Sequence, residues 1–354
     1  MKRKRIKFHV FFNNIQNPIL TALLLGFIPA IIIILLNPIK FDKYKVEYND
    51  RITKNQSYLM IWYEDLDNDG LKETLRIGNN LPSSNNLFLY VHNSQEELIG
   101  QFNFPYKKAI TRNQFIPFSA DINGDRIKET FLFTQKQDSI YLNVFDFAKR
   151  KVILSNRFIT IIGGYNEHID FNIGWIGAED VTGDCINEVF FQISAGFALY
   201  PRRYYRYDFV KDSLIKSINM GAGLLHTTLF YNENKDFIII AGSNATNNVS
   251  ENYPYPYSDS CCWVFGFNKD LKFTFDPIQF IGKPAGISKP IQSKGLIYSS
   301  FSGNKTYGDS NQLFWLDYSG KIESFKTKNN LLPKTIFVKD NSILLQDKNN
   351  WEFY

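Results

Sequence analysis

The sequence predicts an all-β protein preceded by one membrane-spanning segment, and three observations support this prediction. Aromatic residues make up 16% of the 354 residues, and Ile and Val are frequent, a composition that favours strands over helices. No helical periodicity of four turns or more is sustained after residue 40. A long uncharged apolar run lies near the N-terminus. The chain is long enough for one large β domain or two average ones.

The basic residues are concentrated at the N-terminus. Six of the 40 Lys and Arg residues lie in residues 1–41, which contain no acidic residue. The remaining chain therefore holds 34 basic against 35 acidic residues, a net charge of −1. A neutral body carries no electrostatic footprint for nucleic acid.

The uncharged run Ile19–Leu36 contains 18 residues, close to the roughly 20 that a membrane-spanning helix needs. A cleaved secretory signal is the alternative, but its apolar core is usually about 7–15 residues and a small-residue cleavage site follows it. We therefore predict a cytoplasmic basic segment at 1–17, a transmembrane signal-anchor helix at 18–39 and an extracytoplasmic body at 40–354. The basic residues before the run keep the N-terminus in the cytoplasm, so the body lies in the periplasm or on the cell surface.

Three acidic segments of the body repeat one pattern. They read DLDNDGLKE at 65–73, DINGDRIKE at 121–129 and DVTGDCINE at 180–188. Each has the form D-Φ-[DNT]-[NG]-D-x-Φ-x-E, where Φ is aliphatic, and each is followed by a strand-like run. An isolated acidic turn is common, but three copies in register indicate a solenoid or a propeller.

The repeated segments suit a hard cation, because calcium binds six to eight oxygen ligands from carboxylates, amides, carbonyls and water. We expect the side chains at positions 1, 3, 5 and 9 and the carbonyl at position 7 to converge. The EF-hand interpretation fails, since position 12 is not Glu and the flanks are strands. The aliphatic residues at positions 2 and 7 would anchor each loop on the core. The predicted ligands are Asp65, Asp67, Asp69, Leu71 and Glu73; Asp121, Asn123, Asp125, Ile127 and Glu129; and Asp180, Thr182, Asp184, Ile186 and Glu188.

These loops resemble those of the FG-GAP/VCBS repeat family, whose usual loop reads D-x-[DN]-G-D-G-x-x-[DE]. That family includes the β-propeller of integrin α chains and many bacterial surface proteins, and this chain resembles a bacterial membrane-anchored member. The resemblance implies a β-propeller of four-stranded blades, with calcium bound in the loop that joins the first two strands of a blade. Position 6 departs from the pattern, being Gly70, Arg126 and Cys185. If this position needs a positive φ, a residue other than Gly costs about 1 kcal/mol. The residue at position 3 becomes a weaker calcium ligand, from Asp67 in the first loop to Thr182 in the third.

The rest of the body supplies further strands. Residues 227–243 read as a fourth repeat without a cage, residues 294–325 as two hairpins, and residues 334–354 as three short strands. The fourth strand of that last blade could come from YKVEYND at 44–50, because pairing the two chain ends removes free sheet edges. Six blades are favoured, and seven are the alternative.

Two aromatic segments suggest a recognition surface, since Tyr, Trp and Arg dominate binding hot spots. They are YPRRYYRYDF at 200–209 and ENYPYPYSDSCCWVF at 251–265. The alternatives are an exposed strand pair and a surface insertion. The residues assigned to the ligand surface are Arg202, Arg203, Tyr253, Tyr255, Tyr257 and Trp263. If a disulfide forms, Cys185 would pair with Cys261 or Cys262.

The predicted function is a membrane-anchored β-propeller with structural Ca²⁺ that binds a protein or a glycan. No G-x-S-x-G, H-E-x-x-H or P-loop motif occurs, so no catalytic residue is assigned. Two alternatives stay open. One is an extracytoplasmic carbohydrate-active enzyme, and the other is the sensor part of a signalling receptor whose kinase is a separate protein.

Overall fold

A computed structural model describes most of the body of the chain. The described residues are 57–79, 87–104, 118–162, 171–195, 202–220, 224–231, 236–243, 261–281, 283–287, 295–301, 312–317, 319–325, 335–339, 342–347 and 350–353. None of these residues forms a helix able to cross a membrane. The predicted anchor at 18–39 and the predicted strand at 44–50 lie outside them.

The described residues form 23 strands. The first twelve are β1 (Ser57–Glu64), β2 (Glu73–Asn79), β3 (Leu87–His92), β4 (Leu98–Phe104), β5 (Phe118–Ala120), β6 (Glu129–Lys136), β7 (Ser139–Asp146), β8 (Lys151–Ile161), β9 (Phe171–Glu179), β10 (Glu188–Ala195), β11 (Arg202–Asp208) and β12 (Ser213–Lys216). The others are β13 (Leu224–Tyr231), β14 (Phe237–Ser243), β15 (Cys261–Phe267), β16 (Ile278–Ile281), β17 (Lys283–Ile287), β18 (Gly295–Phe301), β19 (Gln312–Asp317), β20 (Ile322–Phe325), β21 (Thr335–Lys339), β22 (Ser342–Asp347) and β23 (Asn350–Phe353).

These strands form six antiparallel sheets in which each strand pairs with the next along the chain. Sheets 1 to 5 have four strands each, β1–β4, β5–β8, β9–β12, β13–β16 and β17–β20, and sheet 6 has three, β21–β23. The all-β prediction and the prediction of four-stranded sheets are therefore confirmed. The three short strands expected in 334–354 are also present.

The hydrophobic core lies between consecutive sheets. Leu75 of sheet 1 packs in one cluster with Leu132 and Phe145 of sheet 2, and further clusters join sheets 2 and 3, sheets 3 and 4, and sheets 4 and 5. The first strands of neighbouring sheets also contact each other, β5 with β9, β9 with β13, β13 with β17 and β17 with β21. Each of sheets 2, 3 and 4 is thus covered on both faces.

This arrangement explains the apolar runs in the second strands. Successive side chains of a strand point to opposite faces. Accordingly, Phe131 and Phe133 of β6 face the cluster shared with sheet 3, whereas Leu132 faces the cluster shared with sheet 1. A strand buried on both faces needs continuous apolar residues rather than alternation.

The exposed strand pair that was the alternative for residues 200–209 is wrong. Most of this segment is β11, the third strand of sheet 3, where Tyr204, Tyr205 and Tyr207 are fully buried. Tyr205 and Tyr207 pack between sheets 2 and 3, and Tyr204 packs between sheets 3 and 4. The alternation of Arg and Tyr resembles that of a strand with one wet face, but both faces of β11 are covered.

Candidate metal centre

The three acidic loops occupy equivalent places in the first three sheets. Residues 65–72 join β1 to β2, residues 121–128 join β5 to β6, and residues 180–187 join β9 to β10. Each loop therefore connects the first two strands of its sheet, which is the position that the family resemblance implies.

The Asp residues at positions 1 and 5 accept backbone hydrogen bonds that fold each loop around its carboxylates. The position 1 Oδ2 atom accepts the N–H of position 6: Gly70 to Asp65 at 3.2 Å, Arg126 to Asp121 at 2.8 Å and Cys185 to Asp180 at 2.9 Å. The position 5 Oδ1 atom accepts the N–H of position 7: Leu71 to Asp69 at 2.7 Å, Ile127 to Asp125 at 2.9 Å and Ile186 to Asp184 at 3.1 Å. These carboxylates are held in place by the backbone.

The Glu at position 9 closes each loop from inside the protein. Glu73, Glu129 and Glu188 are buried. Their Oε2 atoms accept the N–H of position 2, from Leu66 at 2.7 Å, from Ile122 at 2.8 Å and from Val181 at 2.9 Å. Burial raises the pKa of Glu73 and of Glu129, and neighbouring Asp residues raise both further.

The loop backbone is left-handed at two positions. Position 6 has φ of 86° at Gly70, 69° at Arg126 and 65° at Cys185, and position 4 has φ of 62° at Asn68, 77° at Gly124 and 80° at Gly183. The positive φ considered for position 6 is therefore present in all three loops. Arg126 and Cys185 each carry a strain of about 1–2 kcal/mol that Gly70 avoids.

The aliphatic anchors hold at position 2 but not fully at position 7. Leu66 and Ile122 are buried, and Ile186 packs against the cluster between sheets 2 and 3. Leu71, however, is 51% exposed, so its predicted anchoring role is wrong. Ile186 packs toward the preceding sheet, and no sheet precedes sheet 1 in the described chain.

Hydrogen bonds also link each loop to the next. The N–H of Lys128 donates to the carbonyl of Leu66, and the N–H of Asn187 donates to the carbonyl of Ile122, both at 2.7 Å. The side-chain amide of Asn187 donates to the carbonyl of Asp121 at 2.8 Å. The three loops therefore lie next to one another, at the same end of the strands in sheets 1, 2 and 3.

The first loop brings three of its predicted ligands together. One carboxylate oxygen from each of Asp65, Asp67 and Glu73 lies within 4.8 Å of the others. The Oδ1 atom of Asp65 is buried and has no hydrogen-bond partner in the described chain. Clustered carboxylate oxygens with unused lone pairs fit calcium, which prefers hard oxygen ligands.

The carboxylates that come together at the third loop differ from the predicted ligand set. Asp184 and Glu188 lie within 4.8 Å of Asp208, a buried residue at the end of β11. Asp180 instead accepts the N–H groups of Gly183 and Cys185. Thr182, the weak predicted ligand, donates its hydroxyl to Glu188 at 2.8 Å.

Sequence reasoning missed Asp208, although a signal exists. Asp146-Phe147-Ala148-Lys149 and Asp208-Phe209-Val210-Lys211 share the pattern D-F-[AV]-K. In each, the backbone N–H of the Lys donates to the Asp, at 2.8 Å and 2.9 Å. This second repeat places a buried Asp at the end of the third strand of sheets 2 and 3.

Beside the second loop, a lysine from the turn between β7 and β8 contacts the carboxylates. The ammonium of Lys149 contacts Asp125 and lies 3.1 Å from Asp146. The hydrogen bond from Lys149 lowers the pKa of Asp125, and the two Asp residues raise the pKa of Lys149. The Oε1 atom of Glu129 is buried and without a hydrogen-bond partner in the described residues.

The predicted ligand surface is only partly described. Arg202 and Arg203 begin β11 and are half-buried, and Arg203 donates to the carbonyl of Ser217 at 2.9 Å. Trp263 is 2% exposed and packs between sheets 3 and 4. Its assignment to a ligand surface is therefore wrong, because the apolar residues around it cover the indole. The predicted ligand residues Tyr253, Tyr255 and Tyr257 lie outside the described residues.

Cys185 is an exposed free thiol. It lies in the loop between β9 and β10, whereas Cys261 and Cys262 begin β15 of the next sheet. The suggested bridge from Cys185 is therefore not formed.

No protein-family model matches the chain, and no curated protein matches it. Among solved structures, it is similar to one described as the eukaryotic initiation factor, with 11% identity and a TM-score of 0.44 over 77% of this chain and 55% of that chain. It is also similar to the PilY1 C-terminal domain of Pseudomonas aeruginosa, with 10% identity and a TM-score of 0.38 over 83% and 81% of the two chains. The chain thus spans little more than half of the initiation factor.

Proposed function

We propose that the body is a β-propeller with structural calcium, held outside the cytoplasmic membrane by the segment 18–39, and that it binds a protein or a glycan. The propeller is supported by the contacts between first strands and by the apolar clusters between consecutive sheets. The six sheets would be its blades. The segment 44–50 would supply the fourth strand of sheet 6, which has three described strands.

The grouping of Asp65, Asp67 and Glu73 within 4.8 Å is the observation that carries the metal proposal. Like charges at this distance repel each other, and the buried Oδ1 atom of Asp65 adds an unused acceptor. These residues would hold one ion in the first loop. Asp121, Asp125 and Glu129 would hold one in the second, and Asp184, Glu188 and Asp208 would hold one in the third. A bound calcium ion would neutralise these charges and rigidify the loops at this end of the sheets.

Calorimetric titration of the full-length protein in detergent tests this proposal. Calcium should bind, and Asp67→Asn should remove the binding step of the first loop. Asp138→Asn is the matched control, because Asp138 is an exposed residue in the turn between β6 and β7. Absence of calcium binding by the unmodified protein, or equal losses in the two variants, would contradict the proposal.

The binding role is supported by where the recognition segments begin and end. Arg202 pairs with Ser194 at the end of β10 that is remote from the acidic loop. Ser243, before the Tyr- and Pro-rich segment, pairs with Trp263 at the corresponding end of β14. β10 ends at Ala195 and β14 ends at Ser243, so in both sheets the chain leaves the second strand at the end opposite to the loop between the first and second strands.

A ligand search with a paired variant tests the binding role. The full-length protein should retain a specific ligand on a glycan array or after crosslinking in cells. Replacing Arg202 and Arg203 with Gln should weaken that binding while the melting temperature stays high. Replacing the exposed Arg150 and Lys151 instead, which lie at the end of sheet 2 that carries its acidic loop, should leave it unchanged. A ligand that both variants bind equally would place recognition elsewhere.

A further inference from the structure

The side chain of Lys149 reaches the carboxylates of the second acidic loop from a neighbouring turn. It lies in the turn between β7 and β8, and its backbone N–H donates to the Oδ1 atom of Asp146 at 2.8 Å. Its ammonium reaches the Oδ2 atoms of both Asp125 and Asp146. Asp125 is the position 5 carboxylate, and its Oδ1 atom already accepts the N–H of Ile127. Both oxygens of Asp125 therefore have partners within the protein.

The other two loops differ at this point. In sheet 3 the equivalent Lys211 lies 3.1 Å from Asp208, and Asp184 and Glu188 remain grouped with Asp208. In sheet 1 the equivalent hairpin reads Asn93-Ser94-Gln95-Glu96 and offers no lysine. Of the three hairpins, the one in sheet 2 places an ammonium on its acidic loop.

We propose that Lys149 is a built-in counter-cation of the second loop that competes with a divalent ion for Asp125. This inference rests on the proposed calcium binding. An ammonium group donates hydrogen bonds and carries charge, so it stabilises Asp125 when metal is absent. A metal ion that takes an oxygen of Asp125 must displace it. The second loop therefore binds calcium more weakly than the first, whose hairpin offers no lysine.

The test is Lys149→Met in the full-length protein, followed by calorimetric titration with calcium. Removing the competing ion pair should tighten the binding step of the second loop about fivefold, the factor that corresponds to about 1 kcal/mol for an exposed pair. Lys151→Met is the matched control, because it removes the same charge from an exposed site two residues away. It should change that step less than about twofold. In an Asp125→Asn background, Lys149→Met should give no gain.

The outcomes separate this inference from the proposal beneath it. If the unmodified protein binds calcium but Lys149→Met leaves every step unchanged, the competition is wrong and the calcium loops stand. If Lys149→Met and Lys151→Met raise the calcium affinity equally, the gain comes from the lower net charge of the protein. That result would also overturn the inference. If the unmodified protein binds no calcium, both fail. Lys149→Gln repeats the test should the Met variant not fold.

Discussion

Arg126 and Cys185 show how much of the loop geometry individual residues encode. Their φ angles of 69° and 65° match the left-handed conformation that Gly70 adopts in the first loop, so the three loops share one backbone geometry at position 6 despite two unfavourable residues. The packing of side chains was harder to predict. Leu71 was misassigned because no described sheet covers it, and Trp263 because the cluster around it includes residues of sheet 3. Asp208 was missed because it approaches the third loop from a separate hairpin.

Glu129 provides a pH test at the residue scale. Burial raises its pKa above 4.5, so its favourable contribution is full below about pH 4.5 and is lost as the pH rises through the raised pKa. In chelator, the melting temperature should therefore rise on acidification from about pH 7 to about pH 5. Glu129→Gln should stabilise the protein by about 1 kcal/mol at neutral pH and flatten this dependence. Thermal melts at each pH measure both effects.

The control for Glu129 is Glu97→Gln, which changes an exposed carboxylate in the turn between β3 and β4. It should shift stability by less than about 0.5 kcal/mol. A lower melting temperature for Glu129→Gln in chelator at neutral pH would contradict the buried-charge account.

At the scale of elements, the sequence predicted strands well and their burial unevenly. Runs such as TFLFTQ in β6 and FIIIA in β14 indicated strands because they are apolar and rich in β-formers. The polar residues of β11 suggested exposure, yet Arg206 is buried and donates to the carbonyl of Lys269 at 2.6 Å. A carbonyl in the next sheet accepts a hydrogen bond from this guanidinium, and periodicity within one strand carries no information about such a partner.

Phe131 tests the idea that the core lies between sheets. It is fully buried in β6 and its ring lies 4.8 Å from that of Trp175 in β9. Phe131→Ala should destabilise the protein by about 3–5 kcal/mol, measured by urea unfolding. Phe158→Ala is the matched control, since Phe158 is 47% exposed on β8, and it should cost less than about 1 kcal/mol. Equal costs would contradict packing between sheets 2 and 3.

At the scale of the whole molecule, the repeats predicted the order of the described sheets better than the closure of the sheets into a ring. Sheets 1 to 3 follow from the three acidic segments, and sheets 4 to 6 follow from weaker strand patterns without a cage. Closure depends on pairing between segments far apart in sequence, for which a strand pattern alone gives no partner. The expected partner of sheet 6, residues 44–50, lies outside the described residues.

Replacing residues 44–50 with a Gly-Ser linker of equal length tests this closure. If the segment is the fourth strand of sheet 6, its loss should lower the free energy of unfolding by about 3 kcal/mol or more, a large share of a typical 5–15 kcal/mol. Replacing residues 8–14, which lie in the predicted cytoplasmic segment, serves as the control and should leave unfolding unchanged. Unaltered urea unfolding of the first variant would remove residues 44–50 from the fold.

Thermal unfolding of the full-length protein in calcium, magnesium and chelator tests the central claim, that the acidic loops are structural calcium sites, most directly. An ion that binds only the folded state adds about 2.7 kcal/mol per site at a hundredfold excess over Kd. Calcium should therefore raise the melting temperature by roughly 5 °C or more. Magnesium should do less, because it gives up its water reluctantly for an all-protein cage. A melting temperature indifferent to calcium and to chelator would contradict the account and leave the loops as polar turns.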